Sequence, residues 1–239
     1  MEPPRPAPAP QPEPPGPADG GPAAGSAAAE LRAGFPKLWA VISDAGGEEV
    51  RPRSLACYLR RLSLEAAAEA PQEEALQTLL AYARGDAGGL EVRASLVAGA
   101  GRGLFATRGF AAGELLCVYS GTPVPLAKLA RGEVCTDYVM GGFGLYSVDA
   151  AGHPEVLARY VNDHLEPGRR NARFVKLKQE RRALVLATRD IAPGEEIYAA
   201  YGEGYWRVRE GAPAVEEPTH GLSEPLGSTP AAPACERQG

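Results

Sequence analysis

The sequence predicts an α+β protein: a small helical N-terminal region, then a longer unit of many short strands. Between residues 29 and 85, apolar residues recur every three or four positions, the spacing of an amphipathic helix face. Between 90 and 206, short apolar segments alternate with Gly and Pro punctuation, which reads as strands joined by turns. The two ends offer almost nothing to bury. Nine of the first 17 residues are proline, and residues 211–239 are similar in composition. Such segments cannot offset their ordering entropy, so 1–28 and 211–239 are predicted to be disordered tails.

Three helices are expected. Leu31, Phe35, Leu38 and Ile42 line the first, and Leu55, Tyr58, Leu59 and Leu62 line the second, behind Pro52 and Ser54. Leu76, Leu79, Leu80 and Ala83 line the third, opened by Pro71 and closed by Gly85. The link at 44–55 is similar in outline to an EF-hand loop. A calcium loop needs oxygen ligands at its first, third, fifth and twelfth positions and glycine at the sixth. Here those positions hold Asp44, Gly46, Glu48, Leu55 and, sixth, Glu49. The bidentate carboxylate and the turn glycine are both missing, so a helix-turn-helix packing or docking element is expected instead. Strands are expected at 91–97, 115–119, 173–177 and 183–188, with Pro193-Gly194 as a turn.

Composition narrows the functional classes. The net charge is −5, so no global basic field draws the chain to nucleic acid or anionic lipid. The four cysteines, Cys57, Cys117, Cys135 and Cys235, are far apart and form no C-x-x-C pair. That disfavours a zinc knuckle and a disulfide-stapled secreted fold. No apolar run reaches the ~20 residues of a membrane span, and no secretory signal opens the chain. An intracellular protein, nuclear or cytoplasmic and monomeric, is expected, with no direct nucleic-acid or membrane partner.

Three constellations stand out. The first is Gly101-Arg102-Gly103-Leu104-Phe105-Ala106, followed by Ala112-Gly113-Glu114 and Tyr119-Ser120-Gly121. Paired glycines let a backbone turn tightly and press against a ligand, although taken alone such a pair is more often a plain turn. The second is Arg159-Tyr160-Val161-Asn162-Asp163-His164, then Asn171-Ala172-Arg173-Phe174. Amides between apolar segments suit a ligand pocket, a buried hydrogen-bond network or simple turns. The third is Pro193-Gly194-Glu195-Glu196, then Ala200-Tyr201-Gly202 and the aromatic pair Tyr205-Trp206.

In this order the motifs resemble the SET-domain protein lysine methyltransferases, over about 115 residues from roughly 90 to 206. The resemblance implies a fold of short strands closed by a C-terminal pseudoknot, and S-adenosyl-L-methionine as methyl donor. It implies cofactor contacts from Gly101, Arg102, Gly103 and Leu104, mostly through the backbone, and from Asn162. Tyr201 and Tyr119 would border the methyl-transfer channel as the catalytic pair, Tyr201 also touching the cofactor, with Trp206 against the adenine ring. The substrate would be a lysine of a histone tail or another protein. Tyr138 would line its groove, unless it serves a local core, and Ala199, two before Tyr201, would bear on the number of methyls accepted. A sulfonium methyl is already electrophilic, so no metal is needed. The lysine, with an ordinary pKa of about 10.4, must lose its proton, which an apolar channel favours.

The sequence departs from the family pattern in three places. Asp163 follows Asn162 where the family has histidine, and His164 either takes that role or faces solvent. The stretch from Asn162 to Asn171 is about three residues longer than the family spacing. The cysteine-rich zinc segment that completes the channel in many histone-directed members is absent after Tyr201, which leaves Tyr205, Trp206 and Val208 to close it. These departures keep an alternative open: a catalytically inactive SET domain serving as a protein-binding scaffold.

Overall fold

A computed structural model describes residues 26–206, except 45, 46, 48, 135, 136, 165 and 204. Residues 1–25 and 211–239 of the expected tails, and Val208, lie outside the described residues. So do Cys135 and Cys235. Residues 26–28, expected as tail, instead open the first helix, because Ala27 is fully buried in the helical core.

Among the described residues, five helices form the N-terminal part: α1 (Ser26–Gly34), α2 (Pro36–Ile42), α3 (Pro52–Arg61), α4 (Glu65–Glu69) and α5 (Gln72–Arg84). The periodic run expected as one helix over 31–42 divides in two at Pro36. Proline has no N–H to donate and serves as an N-terminal residue, so α2 starts there. The short α4 buries only Ala67, too little periodic signal to be seen. Gly85 ends α5 in the left-handed conformation at φ 104°. Between α2 and α3, Ser43 pairs with Val50, and Trp39 Nε1 donates to the Gly47 carbonyl at 2.7 Å. Asp44 accepts the Glu49 amide, so the link is braced from within.

Eight strands follow: β1 (Leu90–Ala94), β2 (Arg102–Ala106), β3 (Leu115–Tyr119), β4 (Thr122–Pro125), β5 (Val139–Phe143), β6 (Tyr146–Asp149), β7 (Ala172–Leu177) and β8 (Arg182–Ala187). A short helix, α6 (Leu126–Ala130), follows β4. They make three antiparallel sheets, β1-β2, β3-β8-β7 and β4-β6-β5.

The sheet β3-β8-β7 is covered on both faces, so β3 and β8 read as continuous apolar runs rather than alternating ones. One face, with Leu115, Val118, Leu184 and Leu186, packs against Leu31, Ile42, Leu59 and Leu79 of the helices. The other, with Cys117, Tyr119, Ala183 and Val185, joins Leu104, Phe110, Val148 and Ile197. The pairing of β3 with β8 shifts register between Leu115 and Cys117. That bulge explains why Leu116 and Cys117, neighbours in the chain, join the same core.

The segment 194–199 lies between two parts of the chain. On one side, Gly194 N–H donates to the Ala106 carbonyl at 2.7 Å and Ile197 N–H to Leu104 at 2.7 Å. On the other, Ala199 N–H donates to the Asn162 carbonyl at 2.9 Å, and Ala172 N–H donates to Tyr198 at 2.9 Å. Asn171, 1% exposed, pins the same stretch: its amide donates to the Glu196 carbonyl at 2.8 Å and accepts the Tyr198 N–H at 2.8 Å.

Candidate functional site

The Gly-x-Gly motif ends the β1–β2 connection at Gly101 and opens β2 with Arg102 and Gly103. Gly101 sits at φ +71°, where a side chain would be strained, and its carbonyl accepts the Ser95 N–H at 2.9 Å. The connection is held from beneath by Glu196, 3% exposed. Its carboxylate accepts from Ser95 Oγ at 2.6 Å, Leu96 N at 2.7 Å, Asn162 Nδ2 at 3.1 Å and Tyr198 Oη at 2.8 Å. A Cβ on Gly103 would overlap that carboxylate. Glycine is therefore required here for close approach.

Asn162 joins this cluster to the next. Its Nδ2 donates to Ser95 Oγ at 3.1 Å, to the Arg102 carbonyl at 3.0 Å and to Glu196. The adjacent Asp163 faces the chain's C-terminal end. Its Oδ2 accepts the Tyr201 N–H at 3.0 Å and the Trp206 indole N–H at 2.8 Å, and its Oδ1 accepts Arg170 Nε at 3.0 Å. Two consecutive residues thus bind the Gly-x-Gly connection and the Tyr201 segment, which lie about a hundred residues apart in sequence.

The tyrosines converge beside them. Tyr201 Oη donates to the Val161 carbonyl at 2.8 Å. Its ring stacks with Trp206, centroids 6.3 Å apart and planes at 15°, and meets Tyr205 edge-on at 4.6 Å. Burial, then Tyr205, Asp163, Tyr119 and Tyr138, push the Tyr201 hydroxyl well above its ordinary ionisation range. Burial and then Asp149 do the same to Tyr119, whose hydroxyl donates to the Tyr138 carbonyl. Tyr119 also meets Phe174 edge-on at 6.3 Å.

The expected site residues divide into those that gather and those that do not. Gly101, Arg102, Asn162, Tyr201 and Trp206 are linked by the hydrogen bonds of Ser95, Asn162 and Asp163, and Gly103 lies against the Glu196 carboxylate. Tyr119 joins them near Tyr201 and ties in the Tyr138 backbone through its hydroxyl, while the Tyr138 side chain is exposed. Leu104 is fully buried in the core and its carbonyl is taken by Ile197, so it supports the site from behind. Ala199 is likewise fully buried, paired with Asn162 and Ala172. Arg159 lies over the Tyr138 ring at 4.1 Å. His164 rests against the Tyr198 ring at 5.1 Å and does not take the place of Asp163.

Sequence reasoning missed Glu196, Ser95 and Arg170 as members. Glu196 is hidden in a turn-like Pro-Gly-Glu-Glu run, and its partners lie far upstream. A cleft of about 370 Å³ opens elsewhere, lined by Ser120, Gly121, His153, Glu155, Arg181 and Arg182, none of them an expected site residue. Among the described residues, no helix is long and apolar enough to cross a membrane.

A family model described as "SET domain" matches residues 101–202. The N-lysine methyltransferase KMT5A-B of Xenopus laevis is 26% identical over 162 residues, covering 64% of this chain and 46% of that protein. KMT5A of Xenopus tropicalis is 26% identical over the same shares, 64% and 46%. KMT5A-A of Danio rerio is 27% identical over 155 residues, 61% of this chain and 44% of that protein. The match thus spans less than half the length of each of these relatives.

Proposed function

Because the chain belongs to the SET-domain protein lysine methyltransferase family, we propose that it transfers a methyl group from S-adenosyl-L-methionine to a lysine of a histone or another protein. The observation that carries this reading is the pair Asn162–Asp163. One holds the Gly-x-Gly connection and the other the Tyr201–Trp206 segment, so both walls of a cofactor site meet at one point.

The residues fit such a group. Gly101 and Arg102 are exposed where the chain enters β2, and Trp206 offers an anchored aromatic ring for a purine. When bound, S-adenosylmethionine supplies an electrophilic sulfonium methyl. The protein supplies position. The Tyr201 hydroxyl hydrogen is committed to the Val161 carbonyl, so its oxygen lone pairs are left to accept an N–H of the incoming amine. Because burial keeps that hydroxyl neutral, Tyr201 aligns the amine and is not its base. The lysine loses its proton to water as it enters apolar surroundings that disfavour the ammonium, and alignment supplies much of the rate.

The test is methyl transfer from labelled cofactor to a peptide array, followed by Tyr201→Phe on the best substrate. Turnover falling about a hundred-fold with cofactor binding intact is expected. Unchanged turnover removes Tyr201 from the chemistry. A wild-type protein that binds neither S-adenosylmethionine nor its product returns the chain to the scaffold alternative.

A further inference from the structure

We infer that Asp163 and Arg170 are a positioning pair that builds the aromatic wall of the cofactor site from within the domain. This rests on the methyltransferase reading and adds to it what fixes Tyr201 and Trp206.

The Asp163 side chain is 1% exposed, and both its oxygens are used. Arg170 Nε reaches one, while the Tyr201 amide and the Trp206 indole share the other. Donors to a charged acceptor make the stronger class of hydrogen bond. A buried carboxylate without partners is costly, so the arrangement is stable only while its donors are present together.

Arg170 is brought there by the lengthened stretch before Asn171. Residues Pro167–Arg169 form a 3-10 turn, closed by Arg169 N–H to Glu166 at 3.1 Å and Arg170 N–H to Pro167 at 3.2 Å. Arg170 Nε then donates to both Asp163 and the His164 carbonyl, each at 3.0 Å. The two departures seen in sequence, an aspartate after Asn162 and extra residues before Asn171, are therefore one device. The carboxylate needs the guanidinium, and the added turn delivers it.

What the pair holds is the ligand-facing surface. Trp206 lies five residues past Tyr201, and its indole is fixed by the same oxygen that fixes the Tyr201 amide. That common anchor sets the two rings nearly parallel, with Tyr205 edge-on to the indole at 5.2 Å. No metal-bound segment is required to present a flat aromatic face to a purine.

The chain has two tryptophans, so Trp39→Phe in the helical part leaves Trp206 as the only tryptophan, read by excitation at wavelengths that tyrosine does not absorb. In that background, Asp163→Ala should red-shift Trp206 emission before any ligand is added. It should weaken S-adenosylhomocysteine binding about ten-fold or more, and raise the KM for the methyl donor more than it lowers kcat. The double variant Asp163→Asn/Arg170→Gln should recover emission and affinity, because one amide accepts from the indole and donates to the other amide. Circular dichroism establishes that each variant is folded, and the double variant keeps the test decisive if Asp163→Ala is not. Emission and affinity unchanged in Asp163→Ala overturn the inference, as does a folded double variant lacking both. A parent that binds no S-adenosylhomocysteine overturns the cofactor reading itself, and that failure shows before Asp163 is touched.

Discussion

Glu196 and Asp163 are both buried carboxylates, 3% and 6% exposed, yet they are satisfied in opposite ways. Glu196 meets four neutral donors, two hydroxyls, a side-chain amide and a backbone N–H, all within the domain. Asp163 meets a cation at the rim, together with an indole and a backbone N–H from the last described turn. The first arrangement locks one connection against a glycine and involves no mobile cation. The second ties down aromatic side chains at the edge of the domain through a guanidinium that is 28% exposed. Buried carboxylates can thus serve as a keystone or as a tether, and the partners tell which.

Breaking the keystone should have the largest effect. Glu196→Ala leaves the Ser95, Leu96 and Tyr198 donors without the acceptor they share and takes one of three acceptors from Asn162, which should cost about 3–5 kcal/mol of stability. Urea denaturation measures it, and a loss below about 1 kcal/mol would show that water replaces the carboxylate easily. Loosening the tether should cost less. Arg170→Ala removes a partly exposed partner and should cost about 1–2 kcal/mol once solvent screening is allowed for. Its effect on cofactor affinity should exceed its effect on the urea midpoint, and the reverse ranking would make the pair a matter of stability alone.

The smallest effect at neutral pH, and the most diagnostic at high pH, comes from the tyrosines beside the two carboxylates. Burial and the bond to Glu196 push the Tyr198 hydroxyl up, and burial followed by Tyr205 and Asp163 pushes Tyr201 up. Their folded values therefore lie above the ordinary value of 10.0. Their contribution to stability is intact below that value and is lost as pH climbs through the folded one. The thermal midpoint should be level to about pH 9 and fall above about pH 10. Tyr198→Phe should flatten the fall, and an unaltered slope would assign it to other groups.

The strands flanked by Gly and Pro were legible in the sequence, and so was the order of motifs, because periodicity and turn chemistry are local. Strand β3 has the bounds expected for it, 115–119. The sheet from 122 to 149 was not legible as strands. Pro123 and Pro125 interrupt β4, and Gly141 and Gly142 interrupt β5, so neither reads as an apolar run. Tyr201 and Trp206 could be singled out from the sequence, but their common anchor could not, since a lone Asp in a polar stretch gives no hint of burial. In sequence Asp163 is a departure from the motif; in the fold it is the partner of Arg170.

The sheet β3-β8-β7 carries one apolar face for each half of the molecule, and the helices from 26 to 84 supply the only cover described for one of them. The segment that matches the family model, 101–202, therefore does not coincide with a self-sufficient folding unit. A truncated chain starting at residue 90 would turn Leu115, Val118, Leu184 and Leu186 outward into water. It would be expected to precipitate on expression for want of a partner surface, whatever the state of Tyr201 and its neighbours.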